Sequence, residues 1–208
     1  MPGGPLSVAE LADDGVAVLQ AHGIPSAHIA GFSGGSIIAQ ELALRHPGLV
    51  RSLVLQSTWA AMDSYLRSWA LFIRWLAEAA PSERAFLQAC FLDIYTPRSH
   101  NEGTVEQIIE GALAFPHKQS IENLQAFIDA FINHEVSGGL AHITAPTLVL
   151  AGGNDVIIRP EVCRAVAERI PGAIFEVFEG EAHQPFQEIP DVWNARVSSF
   201  WQGVDAGT

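Results

Sequence analysis

The sequence has little positive charge. It carries eleven basic residues against 23 acidic ones, and Lys118 is its single lysine. The formal net charge is -12. Nucleic acids and anionic membranes are bound through basic patches, so this balance excludes both as partners.

Cysteine and long apolar runs are also scarce. The two cysteines, Cys90 and Cys163, have no metal-ligand spacing, so we expect free thiols in a reducing compartment and no metal site. No run of about 18 apolar residues is present, as a membrane span would require. Residues 1–5 lack the basic and apolar regions of a signal peptide. Together these absences predict a cytoplasmic protein.

One short segment suggests chemistry. Residues 31–35 read Gly-Phe-Ser-Gly-Gly and lie between an apolar run, 27–30, and a helical pattern that begins at Ser36. A G-x-S-x-G sequence between a strand and a helix is typical of a nucleophile elbow, which exposes a serine hydroxyl. We expect side chains at positions 31 and 35 to collide with neighbouring backbone. A tight strand-to-helix loop is the alternative interpretation, whereas a phosphate-binding loop would need further glycines or a lysine.

The remaining pattern predicts an α/β chain with one interruption. Strand-like runs at 51–56, 145–152 and 173–178 alternate with helical segments, which indicates a parallel sheet. From residue 59 to 141 the periodicity is helical and rich in aromatics, which is usual for helix packing. A helical insertion directly after a sheet strand is also where an active-site lid is expected. We therefore divide the chain into a core, 1–58 and 142–208, and a cap, 59–141.

Three polar residues follow predicted strands at the sheet edge where parallel α/β sheets carry their chemistry. They are Ser33, Asp155 and His183, in that order along the chain. Each has an ordinary alternative, since an aspartate often caps a turn and a histidine near a C-terminus is often exposed. Their joint occurrence favours a catalytic interpretation.

The chain resembles the α/β-hydrolase superfamily, close to the esterase, lactonase and C–C hydrolase group with a helical cap. The residues that carry the resemblance are the elbow, the strand 146–150 leading to Gly152 and Asp155, and a pattern that pairs His183 with Glu188 and Pro190. The resemblance implies an α/β-hydrolase fold, a parallel sheet with an inserted all-helical cap.

By the same resemblance, Ser33 is the nucleophile, His183 the general base and Asp155 its orienting carboxylate. Gly34 would donate one oxyanion-hole N–H, and Phe32, Trp59 and Trp69 would contact a small apolar ester-like substrate. No cofactor is implied. A C–C bond hydrolase or acyltransferase with the same triad remains an alternative, as does a non-catalytic binder or inactive remnant. Exchanging the cap should change substrate preference and leave the triad geometry alone.

The sequence departs from the family in one respect. The family's first sheet strands and a His-Gly loop, which supplies the second oxyanion donor, have no counterpart here, so the chain matches about the C-terminal three-quarters of a member. We expect the nucleophile strand to form an unprotected sheet edge. Self-association through that edge and little esterase activity would follow.

Overall fold

The structure, a computed structural model, describes residues 6–207. Its centre is a four-stranded parallel sheet in the order β1-β2-β3-β4. The strands are β1 (Ala27–Phe32), β2 (Val50–Gln56), β3 (Thr147–Gly152) and β4 (Ile174–Phe178). The predicted α/β class and parallel sheet are therefore confirmed.

The two central strands, β2 and β3, are buried on both faces, which explains why they are nearly continuous apolar runs. Because side chains alternate along a strand, Leu53 and Leu55 of β2 point to one face and Val54 points to the other. The first pair belongs to a core cluster with residues of the helices at 8–21, 34–45 and 160–167, whereas Val54 packs with Val197 and Phe200 of the C-terminal helix. These are the two helical layers of the core.

The core helices have recognisable ends. They are α1 (Val8–Ala21), α2 (Gly34–Arg45), α8 (Pro160–Ala167), the short α9 (Pro185–Glu188) and α10 (Pro190–Ala206). Ser7 and Glu10 form a capping box at the start of α1, and each satisfies a backbone donor. Prolines open α8, α9 and α10, where the missing N–H is not needed.

Five helices lie between β2 and β3, as the periodicity predicted. They are α3 (Ser64–Ala79), α4 (Glu83–Ile94), α5 (Pro97–Asn101), α6 (Thr104–Ala114) and α7 (Ile121–Ile132). Their apolar stripes pack mostly on one another, in one cluster around Ala70, Ile73 and Cys90 and another around Tyr95 and Ile109. We call these five helices the inserted helices.

Strand β1, which leads to Ser33, lies at an edge of the sheet, as we expected from the sequence. β1 pairs with β2 on one side only among the described strands, and its register shifts between Ala27 and His28. That irregularity was not predicted. No helix of residues 6–207 has the length and apolar character to cross a membrane. The segment 1–5, which we interpreted as lacking a signal peptide, lies outside the described residues.

Candidate active site

Ser33 lies in the tight turn between β1 and α2. Its backbone has φ 49° and ψ -123°, a conformation that non-glycine residues rarely adopt and that costs about 1–3 kcal/mol. The turn requires a glycine at position 31, because a Cβ there would lie 2.4 Å from the carbonyl oxygen of Gly35. The matching expectation for Gly35 was wrong: a Cβ there would meet nothing within 4 Å, since the position faces open space.

Asp155 follows the carboxyl end of β3 and is buried, with 3% of its surface exposed. One carboxylate oxygen, Oδ1, accepts hydrogen bonds from the backbone N–H groups of Ile157, at 2.9 Å, and Ile158, at 2.8 Å. These two donors fix the plane of the carboxylate. The second oxygen, Oδ2, is thereby directed at His183 Nδ1, 2.7 Å away.

His183 lies in the loop between β4 and α9, residues 179–184, which we call the histidine loop. Its ring is buried, with 3% of the residue exposed, and its Nε2 lies 3.1 Å from Ser33 Oγ. An ionised carboxylate can only accept, so Nδ1 carries the proton that bonds to Asp155, and Nε2 is left as the acceptor for the serine hydroxyl. The three residues predicted to act together do lie together.

The histidine loop reaches the sheet because position 152 is a glycine. A Cβ on Gly152 would lie 1.8 Å from the carbonyl oxygen of Ala182.

Beneath the site, burial raises the pKa of the Cys163 thiol to about 12, so this cysteine stays protonated and is no competing nucleophile. No group of three or more His, Cys, Asp or Glu side chains within residues 6–207 is arranged to hold a metal ion.

Gly34, the predicted oxyanion donor, is the first residue of α2, so its N–H has no acceptor within the helix. A Cβ at this position would lie 2.6 Å from Cε2 of Phe131 on α7. The ring of Phe131 therefore fills the space that a side chain at position 34 would need, so only glycine fits there. An inserted helix thus packs directly over the elbow.

Comparison with known proteins agrees with this geometry. A family model described as "alpha/beta hydrolase fold" matches residues 4–188. The chain belongs to the α/β-hydrolase fold family. The match covers all four described strands and all five inserted helices, so the family assignment predicted from the sequence is confirmed.

Several α/β hydrolases are similar over most of this chain. "Putative carbamate hydrolase RutD" of Azorhizobium caulinodans is 33% identical over 204 residues, which span 97% of this chain and 76% of that protein. A hydrolase of Pseudomonas aeruginosa is 25% identical with a TM-score of 0.84, over 97% of this chain and 74% of its own. An enol-lactonase of Burkholderia xenovorans shares the fold at 23% identity and a TM-score of 0.84, over 97% and 75%.

The predicted substrate-contacting aromatics occupy three different environments in this α/β hydrolase. Phe32 packs against the imidazole of His183, with ring centroids 4.8 Å apart, and against Phe186. Trp59 is buried edge-on against Phe131. Trp69 lies on α3, and its indole N–H donates to Asp93 of α4 at 3.3 Å. Contact of any of the three with substrate stays a prediction.

Sequence reasoning missed a layer of buried polar residues under the elbow. Ser36 Oγ lies 2.6 Å from the carbonyl oxygen of Ser33 and 2.8 Å from Thr58 Oγ1, to which Gln40 also donates at 2.7 Å. Ser57 is fully buried, has φ 51° and donates to the carbonyl oxygen of His183 at 3.2 Å. Ser57 and Thr58 directly follow β2, at the edge of the sheet where Ser33, Asp155 and His183 lie. That position after a strand is the sequence signal by which they could have been found.

Proposed function

We propose that this α/β hydrolase cleaves carboxylic esters or lactones through an acyl-enzyme, with Ser33 as nucleophile. The observation that supports the proposal is the continuous chain of hydrogen bonds from Ser33 Oγ through His183 to Asp155, at 3.1 Å and 2.7 Å. A serine hydroxyl is a weak nucleophile until a base accepts its proton, and this arrangement supplies both the base and the group that orients it.

In the first half-reaction Ser33 Oγ attacks the substrate carbonyl carbon while Nε2 of His183 takes the hydroxyl proton. The imidazolium that forms is stabilised by the ionised Asp155, 2.7 Å from Nδ1. Collapse of the tetrahedral intermediate breaks the bond to the leaving oxygen, which takes the proton from Nε2. The acyl group then remains on Ser33.

In the second half-reaction a water molecule replaces the leaving group. His183 removes a proton from the water, the resulting hydroxide adds to the acyl carbonyl, and the proton returns to Ser33 Oγ as the acid leaves. The enzyme is restored with no net change in protons. The three residues alone provide the acid–base chemistry of both steps.

The developing oxyanion needs donors close to the carbonyl oxygen. We assign this role to the N–H of Gly34, which begins α2 and has no acceptor within the helix, and the helix N-terminus adds a favourable partial charge. Removal of one such donor costs about 10²–10³ in kcat.

We propose that residues 59–141 act as a lid that selects apolar acyl groups. Phe131 packs over Gly34 and lies against Trp59 at a centroid distance of 6.3 Å, so we take this aromatic pair beside the elbow as the candidate contact for an acyl group. Phe131→Ala should raise kcat/KM for branched acyl groups relative to acetyl, measured with matched p-nitrophenyl esters. An unchanged ratio would contradict the lid role of this ring.

A carbamate is the second candidate substrate. The 33% identity to the relative named as a carbamate hydrolase favours it. A carbamate presents a carbonyl carbon to Ser33 as an ester does, although nitrogen donation makes that carbon less electrophilic. The same triad would serve, so the two candidates differ in the substrate that is turned over and not in the residues.

The test is hydrolysis of a panel of p-nitrophenyl esters, lactones and carbamates by the purified chain and by Ser33→Ala. We expect Ser33→Ala to reduce turnover to background, a loss of up to about six orders of magnitude in a fully active enzyme. Ser68→Ala is the matched control, because that serine is exposed on α3 and bonds within its own helix. Equal turnover by both variants would refute the proposal.

A further inference from the structure

The backbone of His183 is held by two elements outside its own loop. Its N–H donates to the carbonyl oxygen of Ile94, at the end of α4, at 3.0 Å. Its carbonyl oxygen accepts from Ser57 Oγ at 3.2 Å. One of these partners lies in the core and the other in the inserted helices, so the position of the base depends on both.

The Ile94 contact is one of several that connect the histidine loop to residues 94–99, which we call the α4–α5 corner. Tyr95 Oη lies 3.0 Å from Oε1 of Gln184 in the histidine loop and 2.5 Å from Oε1 of Gln187 in α9, and its single proton can serve one of the two. Arg98 makes a two-pronged ion pair with Glu181, at 2.6 Å and 3.0 Å, and Glu181 is only 5% exposed. Paired hydrogen bonds between a guanidinium and a carboxylate are directional, so they restrain orientation as well as distance.

Glu188 connects the two segments most directly. Its Oε1 accepts from Thr96 N–H at 2.8 Å, from Thr96 Oγ1 at 2.6 Å and from Ser99 Oγ at 2.6 Å, all in the α4–α5 corner. Its other oxygen, Oε2, accepts from the N–H of Ala182 at 3.2 Å, directly before His183. Thr96 and Ser99 are buried, so their hydroxyls depend on this carboxylate.

We propose that Glu188 is a positioning residue for His183, through which the α4–α5 corner sets the base against Ser33. The role rests on the serine-hydrolase function proposed above. It also implies that the inserted helices cannot be exchanged as an independent lid. Any movement that lifts the α4–α5 corner also displaces the imidazole, contrary to our expectation that a cap exchange would leave the triad geometry alone.

A purely structural role is the competing explanation, and Glu188→Gln separates the two. The amide oxygen takes the Oε1 position, where three donors converge, which leaves the amide NH₂ facing the N–H of Ala182. This variant therefore removes the hydrogen bond from the N–H of Ala182 in the histidine loop and keeps the three bonds to the α4–α5 corner. Thr96→Val instead removes one donor to Glu188 on the side of the corner, together with the N-cap that Thr96 Oγ1 provides to the N–H of Ser99. The backbone N–H of Thr96 and Ser99 Oγ still bond to Glu188.

The kinetic result expected for Glu188→Gln is a fall in kcat of about 10- to 100-fold, because a displacement of about 1 Å at a reacting group has effects of that size. KM should change less than about twofold, since the contacts of the bound substrate are retained. Thr96→Val should show a smaller fall of the same kind. A lower melting temperature with unchanged kcat in Glu188→Gln would overturn the proposal.

Glu176→Gln is the matched control. Glu176 accepts two hydrogen bonds from Arg196, both at 2.6 Å, and lies on β4 before the same loop. Its replacement removes a comparable carboxylate without touching residues 94–99. We expect it to lower stability and leave kcat unchanged.

A second measurement distinguishes failure of this proposal from failure of the proposed function. Amide hydrogen exchange at His183 reports its bond to Ile94 whether or not the chain turns over an ester. Faster exchange in Glu188→Gln, and not in Glu176→Gln, supports the positioning role. Unchanged exchange at His183 in both variants refutes it, whereas absent turnover in the unaltered chain would count against the hydrolase function alone.

Discussion

Replacing Asp155 with asparagine tests the chemistry of the triad while leaving its shape nearly intact. In the structure Oδ1 accepts from two backbone N–H groups, at 2.9 Å and 2.8 Å, and Oδ2 faces Nδ1 of His183. An asparagine amide must therefore place its oxygen on the backbone side. Its NH₂ group then points at Nδ1, which has to become an acceptor.

The size of the effect follows from that forced tautomer. Turning the amide round would set its NH₂ against two buried donors, at a cost of about 1–3 kcal/mol for each unsatisfied group. The imidazole of His183 would instead carry its proton on Nε2 and could not accept the proton of Ser33. A triad with the wrong tautomer loses about four orders of magnitude in kcat.

Ester hydrolysis and nitrogen NMR of the imidazole measure the two parts of this argument separately. Asp155→Asn should reduce turnover by about 10⁴, or to the uncatalysed background if that is reached first, and the NMR spectrum should show the Nε2–H form. Asp63→Asn, at the N-cap of α3, is the control and should behave as the unaltered chain. Retention of the Nδ1–H form, or turnover within tenfold of the unaltered chain, would refute the reasoning.

Three further predictions concern stability and association. Gly31→Ala should lower the free energy of unfolding in urea by about 3 kcal/mol, because the new Cβ collides with backbone. Gly35→Ala should be tolerated. An equal loss of unfolding free energy in the two variants would contradict the steric account. Burial lowers the pKa of His134, so this residue takes up a proton in the unfolded chain at a pH at which it stays neutral in the folded chain. The free energy of unfolding should therefore fall as pH drops below about 6.5. His134→Gln should abolish this dependence of stability on pH between pH 7.5 and 5.5. The edge of β1 that pairs with no other strand in residues 6–207 should pair with a second copy. Ala30→Lys should weaken this dimer in sedimentation, and a monodisperse unaltered monomer would exclude it.

The strands and the proximity of Ser33, Asp155 and His183 could be predicted because their signals are local. Strands β2 and β3 are buried on both faces and therefore read as short apolar runs. The elbow is recognisable because a serine in that strained turn needs glycine at position 31. Each member of the triad follows a strand, so the topology alone brings them to one edge of the sheet.

The contacts that hold the site in place could not be predicted from the sequence, because they join distant segments through side-chain packing. Thr96 and Glu188 are 92 positions apart in the chain, and no periodicity relates them. Phe131 belongs to an apolar stripe that predicts helix packing, and nothing in that stripe indicates that its ring lies over Gly34. The final helix extends through Ala206, and Asp205 in its last turn bonds to His28 of β1, a contact that no sequence pattern indicates.

Labelling with a fluorophosphonate tests the central claim most directly, because the probe reacts only with a serine activated by a base. The 208-residue chain should gain the mass of one phosphonyl group, and peptide mapping should place it on Ser33. Ser33→Ala should gain none, and His183→Ala should react far more slowly. No adduct on the folded chain, or an adduct on another serine that persists in Ser33→Ala, would contradict the account.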